Sequence, residues 1–150
     1  MTTVQIPQRM NFGSVAPKVF KAVLALDTAA RQGLDPVLLE LVQIRASQIN
    51  RCAYCIDYHT GDARKAGESE DRVYQLSGWE ESSLYTAKER AALALTEAVT
   101  RLPDGVPDAV YDEAAQHFAE RELAQLIALI FTVNAWNRMN VTTRKTPGTE

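Results

Sequence analysis

Arg51–Gly67 reads RCAYCIDYHTGDARKAG and holds both cysteines and one of the two histidines of the chain. Its pattern is Cys52-x-x-Cys55-x-x-x-His59. On a helix, at 100° per residue, Cys55 lies about 60° and His59 about 20° from Cys52, so the three side chains share one stripe. Two thiols one helical turn apart can close a disulfide, and a histidine one turn further on can take or return the proton that thiol chemistry moves. The stretch reads as a helix carrying a redox site.

The chain around it has ordinary globular composition. Its 150 residues suffice for one domain with a single core, with 46% hydrophobic and 23% charged residues. A net charge of −3 and the absence of a basic cluster with interleaved aromatics argue against nucleic-acid and anionic-membrane partners. The start, MTTVQIPQRMNFG, does not pattern as a signal peptide, and Leu123–Ala135 is too short and too interrupted to span a bilayer. A cytoplasmic location is expected, and in a reducing compartment a closely spaced cysteine pair points to redox or metal chemistry.

Outward from the cysteine helix, the punctuation is helical throughout. Residues 1–13 read as an N-terminal arm. Ser14 is placed to cap a helix with Pro17 in its first turn, whose apolar positions are Val19, Phe20, Val23, Leu24 and Leu26, and Gly33 to end it. Asp35-Pro36 starts a second helix with Leu38, Leu41, Val42 and Ile49 as core contacts. Asn50 can cap the cysteine helix, which stops at Gly67. Ser69 opens a short helix around Val73 and Leu76, ended by Gly78. Thr86-x-x-Glu89 is a capping box before an Ala/Leu-rich helix to about Thr100. After the turn Leu102–Pro107 come helices at about Asp108–Phe118 and Glu122–Met139, and residues 142–150 read as a flexible tail. No segment alternates with a period of two. The expected fold is all-α, a bundle of about six or seven helices in one domain over 1–150. Helices apolar on several faces, such as AALALTEAV and LAQLIALIFTV, call for an oligomer.

Within the motif the nucleophile is open on physical grounds. The helix N-terminus favours Cys52 as thiolate, whereas His59 pairs across one turn with Cys55. Metal binding ranks lower: three ligands on one stripe make a poor tetrahedron, and the other histidine, His117, falls on a distant helix. Glu40, between Leu39 and Leu41, either complements its helix N-terminus from solvent or faces His59 to fix the imidazole. Tyr54, Asp57, Tyr58 and His117 are expected to be structural or surface residues.

Glu40, eleven intervening residues and Cys52-x-x-Cys55-x-x-x-His59 together resemble the signature of the AhpD-like alkylhydroperoxidases of the carboxymuconolactone decarboxylase superfamily. QIRASQINRCAYCIDYHTGDARKAGE and FTVNAWNRMNV are similar to the family's motif helix and last helix, and the likeness covers most of Phe12–Val141. The resemblance implies an all-helical subunit assembling as a trimer or hexamer. It implies a peroxidase that reduces alkyl hydroperoxides or hydrogen peroxide in antioxidant defence. Cys55 would be peroxidatic, Cys52 resolving, and His59 and Glu40 a proton relay. No cofactor is implied beyond the cysteine pair, with an external dithiol or lipoyl-type protein as reductant. The chain departs at Tyr54, where the family prototype carries a histidine, so that part of the relay is absent. The competing expectation is a disulfide oxidoreductase or redox-sensing module that exchanges electrons with a partner protein.

Overall fold

The computed structural model describes residues 1–149. These form α1 (Phe12–Val15), α2 (Pro17–Ala30), α3 (Pro36–Ile49), α4 (Ala53–Lys65), α5 (Glu70–Tyr74), α6 (Ala87–Thr100), α7 (Asp108–His117) and α8 (Glu120–Thr143). Two 3-10 helices, Leu76–Glu81 and Leu102–Asp104, complete the set, and no strand occurs among the described residues.

The expectation of six or seven helices therefore needs correction to eight α-helices with two 3-10 segments among the described residues. The first expected helix is split because Ala16, just before Pro17, sits at φ −125°, ψ 64° rather than in the α region. A residue ahead of proline is sterically pushed out of that region. The cap of α1 is accordingly Asn11, whose side chain accepts from the Ser14 N–H at 3.2 Å, and not Ser14. Gly78 interrupts rather than ends its segment, with non-helical φ/ψ inside the 3-10 helix. The last helix also runs further than expected, to Thr143.

Two starts match the sequence signals closely. Asp35 Oδ1 accepts from Val37 N at 2.9 Å and Leu38 N at 3.1 Å, with Pro36 at the first helical position. The Thr86–Glu89 capping box is closed in both directions, at 2.8 and 3.1 Å. A lost cap of this kind costs about 1 kcal/mol.

Helix α3 is the axis of the bundle. Ten consecutive residues, Leu38–Ser47, are buried. Its Leu38, Leu39 and Val42 join Leu95 of α6 and Leu126, Leu129 and Ile130 of α8 in the larger core. On another side Leu41 and Ile44 pack with Ala63, Leu76, Trp79 and Leu93. Each aliphatic side chain so buried contributes about 1.5–3 kcal/mol. Ile49, expected in the core, is only half-buried.

Helix α2 lies outside this core. Among its residues only Ala30 is buried, and Val19, Leu24 and Leu26 are exposed, contrary to their expected core role. It is tied instead to α8, where Gln125 Nε2 donates to the carbonyls of Ala29 and Gln32, both at 2.9 Å. Phe20 meets Trp136 edge-on at 5.5 Å. Between α2 and the inner helices lies the cavity described next.

Candidate active site

The turn between α3 and α4 delivers the cysteines. Arg51 stands in the left-handed region at φ 57°. Its N–H bonds the Gln48 carbonyl, and the Cys52 N–H reaches back to the Ser47 carbonyl at 3.0 Å. This pair of reverse bonds is a Schellman ending, here built on arginine where glycine is usual. Cys52 leaves it in an extended conformation and becomes the N-cap of α4, so the cap is Cys52 and not Asn50.

Asn50 has a different task. Its Nδ2 donates to Asn134 Oδ1 at 2.8 Å and Asn137 Oδ1 at 2.9 Å, both on α8. Asn137 Nδ2 in turn donates to Ser47 Oγ at 3.0 Å. Two asparagines one turn apart on α8 thus pin the loop that carries the cysteines.

Cys52 and Cys55 form a disulfide, with Cα atoms 5.3 Å apart. The Cys52 sulfur also accepts the Cys55 backbone N–H at 3.3 Å. The two differ in access: both are buried, but Cys55 lines the cavity and Cys52 does not. The α8 residue Asn140, one turn beyond Asn137, places its Nδ2 3.4 Å from the Cys55 sulfur.

His59 is buried one turn along α4, with Nδ1 3.0 Å from Oε2 of the buried Glu40 on α3. Because a carboxylate accepts, Nδ1 carries the hydrogen, and Nε2 is left to accept or return a proton. Glu40 therefore faces His59 rather than solvent. Behind it the chain of charge continues outward. Arg31 Nη1 stands 3.9 Å from Glu40 Oε1, while Arg31 also bonds Asp27 and Gln43, each at 2.8 Å. Asp27 is held from the other side by Trp136 Nε1 at 3.2 Å.

The cavity holds about 200 Å³ and is walled by Phe20 and Leu24 of α2, Tyr54, Cys55, Tyr58 and His59 of α4, and Trp136 and Asn140 of α8, with Asp27, Arg31 and Lys145 at its polar parts. Tyr54 and Tyr58, expected to be off-site, are among these walls. Their rings stack at 6.3 Å, and Tyr58 meets the His59 ring edge-on at 5.3 Å. Partial burial, with Asp62 adding to it, raises the Tyr58 pKa, so this phenol stays neutral near pH 7. Lys145 Nζ sits 4.5 Å from the Tyr54 ring centre. It is placed there by a second Schellman turn on arginine: Arg144 at φ 55°, with Lys145 N bonded to the Asn140 carbonyl at 2.9 Å.

The four residues singled out from the sequence are thus gathered at one place. His117 and Asp57 are not: His117 pairs with Glu113 on its own helix, and Asp57 is exposed. Asp27, Arg31, Trp136, Asn140 and Lys145 escaped the sequence reading. For Asn140 a signal existed, the three-residue spacing of Asn134, Asn137 and Asn140 on one helical face.

An all-α bundle with a CxxC disulfide, one sulfur of which faces a cavity, and a buried Glu–His couple has the features of a redox protein. Among the described residues no group of three or more His, Cys, Asp or Glu side chains is placed to hold a metal ion. Residues 17–98 match the Carboxymuconolactone decarboxylase family, and the chain belongs to that family, in its AhpD-like form. It is 39% identical over 136 residues to the uncharacterized protein YdfG of Bacillus subtilis, spanning 89% of this chain and 92% of that one. A protein from Agrobacterium tumefaciens, of unknown function and provisionally assigned to antioxidant defence as AhpD, superposes with a TM-score of 0.92 at 36% identity, covering 96% of this chain and 100% of that chain. The debrominase Bmp8 shares the fold at 21% identity and a TM-score of 0.79, over 91% of this chain and 74% of that one. Cysteine pair and kinship together support a redox role. Among the described residues no helix is long and apolar enough to cross a membrane.

Proposed function

We propose that this protein is a thiol peroxidase that reduces alkyl hydroperoxides or hydrogen peroxide, with Cys55 as the attacking cysteine and Cys52 as the resolving one. The observation that carries this reading is the unequal access of the two sulfurs. Cys55 opens on a partly apolar cavity beside His59, and Cys52 lies outside its lining at the helix N-cap.

The steps balance as follows. The Cys55 thiol gives its proton to His59, whose imidazolium is stabilised by Glu40. The thiolate attacks the distal peroxide oxygen, an S–O bond forms, and the O–O bond breaks with its electron pair on the leaving alkoxide. His59 returns the proton to give the alcohol, and Cys55 is left as sulfenic acid. Cys52, its thiolate favoured by the positive end of α4, then attacks the Cys55 sulfur. The S–S bond forms and hydroxide leaves, taking the Cys52 proton as water. A dithiol, free or on a lipoyl-type protein, reduces the disulfide by exchange and resets the pair. Assembly as a homo-oligomer, a trimer or hexamer, belongs to the same proposal and gives the exposed Val19, Leu24, Leu26 and Phe131 a partner.

Steady-state consumption of cumene hydroperoxide with a dithiol reductant tests the reading. Wild type turns over and Cys55→Ser does not. Equal consumption by the two proteins would sink it. A Cys52–Cys55 couple that cycles with dithiols while peroxide reacts only at the rate of a free thiol would favour a disulfide oxidoreductase serving a partner protein.

A further inference from the structure

We propose that Asn140 is a catalytic residue: its side-chain amide donates a hydrogen bond to the Cys55 sulfur and holds that sulfur as the thiolate. Nδ2 lies 3.4 Å from Sγ, a normal distance for an N–H donor to sulfur. Turned the other way, the amide would set an oxygen lone pair against the sulfur lone pairs, so the NH2 group faces the sulfur. Asn140 is 8% exposed and Cys55 3%, so the contact is screened little by water. A hydrogen bond to an ion in such a place is stronger than one to a neutral group.

The other asparagines of the same face show why Asn140 stands apart. Asn134 and Asn137 spend their amides on Thr100, Ser47 and the loop at Asn50. Among the described residues the Asn140 side chain has one hydrogen bond, the one to Cys55, and no other side chain donates to that sulfur. The helix end is closed by the Asn140 backbone carbonyl with Lys145 N–H, so capping does not occupy the side chain.

The charged and titratable groups around the cavity are otherwise engaged. Asp27 and Arg31 pair with each other, and His59 pairs with Glu40. Lys145 sits over Tyr54, and Tyr58 is a neutral phenol. His59 supplies a site for the proton. Asn140 supplies a fixed dipole that favours the charge left behind, which is the task of an oxyanion-hole donor transferred to sulfur. The catalytic part of this inference rests on Cys55 being the nucleophile. Its thiolate part does not.

The test uses the full chain with Cys52→Ser, which leaves Cys55 as the sole thiol. The rate of iodoacetamide alkylation, in which the thiolate displaces iodide to form a thioether, is followed against pH. Adding Asn140→Leu, close in shape but without the donor, is expected to raise the midpoint by about one pH unit or more, since the buried thiolate loses its charge-assisted hydrogen bond. Alkylation at pH 7 then slows about tenfold. Asn140→Asp replaces the donor by a carboxylate and is expected to raise the midpoint further, with retained helicity by circular dichroism confirming the fold. It also serves alone if the leucine variant does not fold. A midpoint unchanged in both variants, or in the aspartate variant alone, would overturn the assignment. No peroxide enters this experiment. A wild type inert toward peroxide would contradict the peroxidase reading while the alkylation shift still established the donor, and the reverse outcome would remove the donor alone.

Discussion

His59 Nδ1 lies 3.0 Å from Glu40 Oε2, joining α4 to α3 through two buried side chains. Glu40 is the innermost member of a polar file that passes through Arg31 and Asp27 to Trp136. Its position inside the otherwise apolar run of α3 is thus explained by what it holds rather than by helix polarity.

Removing that charge gives the first prediction. Glu40→Gln keeps the size and an acceptor for Nδ1–H but no longer stabilises an imidazolium. Peroxide turnover, read as kcat/KM, falls by about 100-fold, the lower end of general acid–base contributions. Turnover equal to wild type would remove Glu40 and the protonated His59 from the reaction.

Asn50 is expected to matter for stability. Asn50→Ala strips the acceptors Asn134 and Asn137 of their shared donor, and Asn137 is 0% exposed. Leaving buried carbonyls unpaired costs about 2 kcal/mol, a fall in Tm of about 4–8 °C for a domain this size. Calorimetry checks it. A loss under one degree would mean that the α3–α4 loop does not depend on α8.

Arg51 points the other way. It is exposed and holds φ 57°, a conformation that costs an L-residue about 1–2 kcal/mol. Glycine adopts it freely but loses more freedom on folding. Arg51→Gly is therefore expected to stabilise the protein by about 0.5–1 kcal/mol, measured by urea unfolding, without changing the cysteine pair. Destabilisation would show that the arginine side chain does something its exposure does not reveal.

Acid should reveal the Arg72–Glu89 pair. Burial raises the Glu89 pKa, but hydrogen bonds from Arg72 at 2.7 Å and from Thr86, together with the Arg72 charge, outweigh it and hold the carboxyl below the ordinary value of 4.5. A depressed folded-state pKa means stability that is full above the ordinary value and is lost as pH falls through the folded one. Glu89→Gln should therefore lower Tm at neutral pH, and its deficit relative to wild type should shrink as the pH falls below that range. A deficit constant down to the acid limit would contradict the assignment.

The sequence made some of this architecture legible and hid the rest for identifiable reasons. Asp35-Pro36 and Thr86-x-x-Glu89 announce helix starts through local chemistry, and local chemistry is what one sequence contains. The CxxC spacing points to the site for the same reason, whereas local chemistry leaves Glu40 open and the family resemblance places it there. By contrast, the apolar pattern of α2 suggested a core helix, yet Val19, Leu24 and Leu26 are exposed, because burial depends on which face a neighbour covers. Tyr54 and Tyr58 lie off the cysteine stripe, so spacing does not place them at the site, but the cavity extends round α4 beyond that stripe. Asp27, Trp136, Asn140 and Lys145 join the site across long stretches of chain, through helix packing and two arginine-based turns that no short motif encodes.

The central claim, that Cys55 attacks peroxide and Cys52 resolves it, is tested most directly in a single turnover. The reduced protein receives one equivalent of cumene hydroperoxide, and sulfenate and disulfide are quantified by intact mass in wild type, Cys52→Ser and Cys55→Ser. Rapid disulfide in wild type with trapped sulfenate only in Cys52→Ser is the expected result. Sulfenate confined to Cys55→Ser, or oxidation no faster than that of a free thiol in every variant, would contradict it.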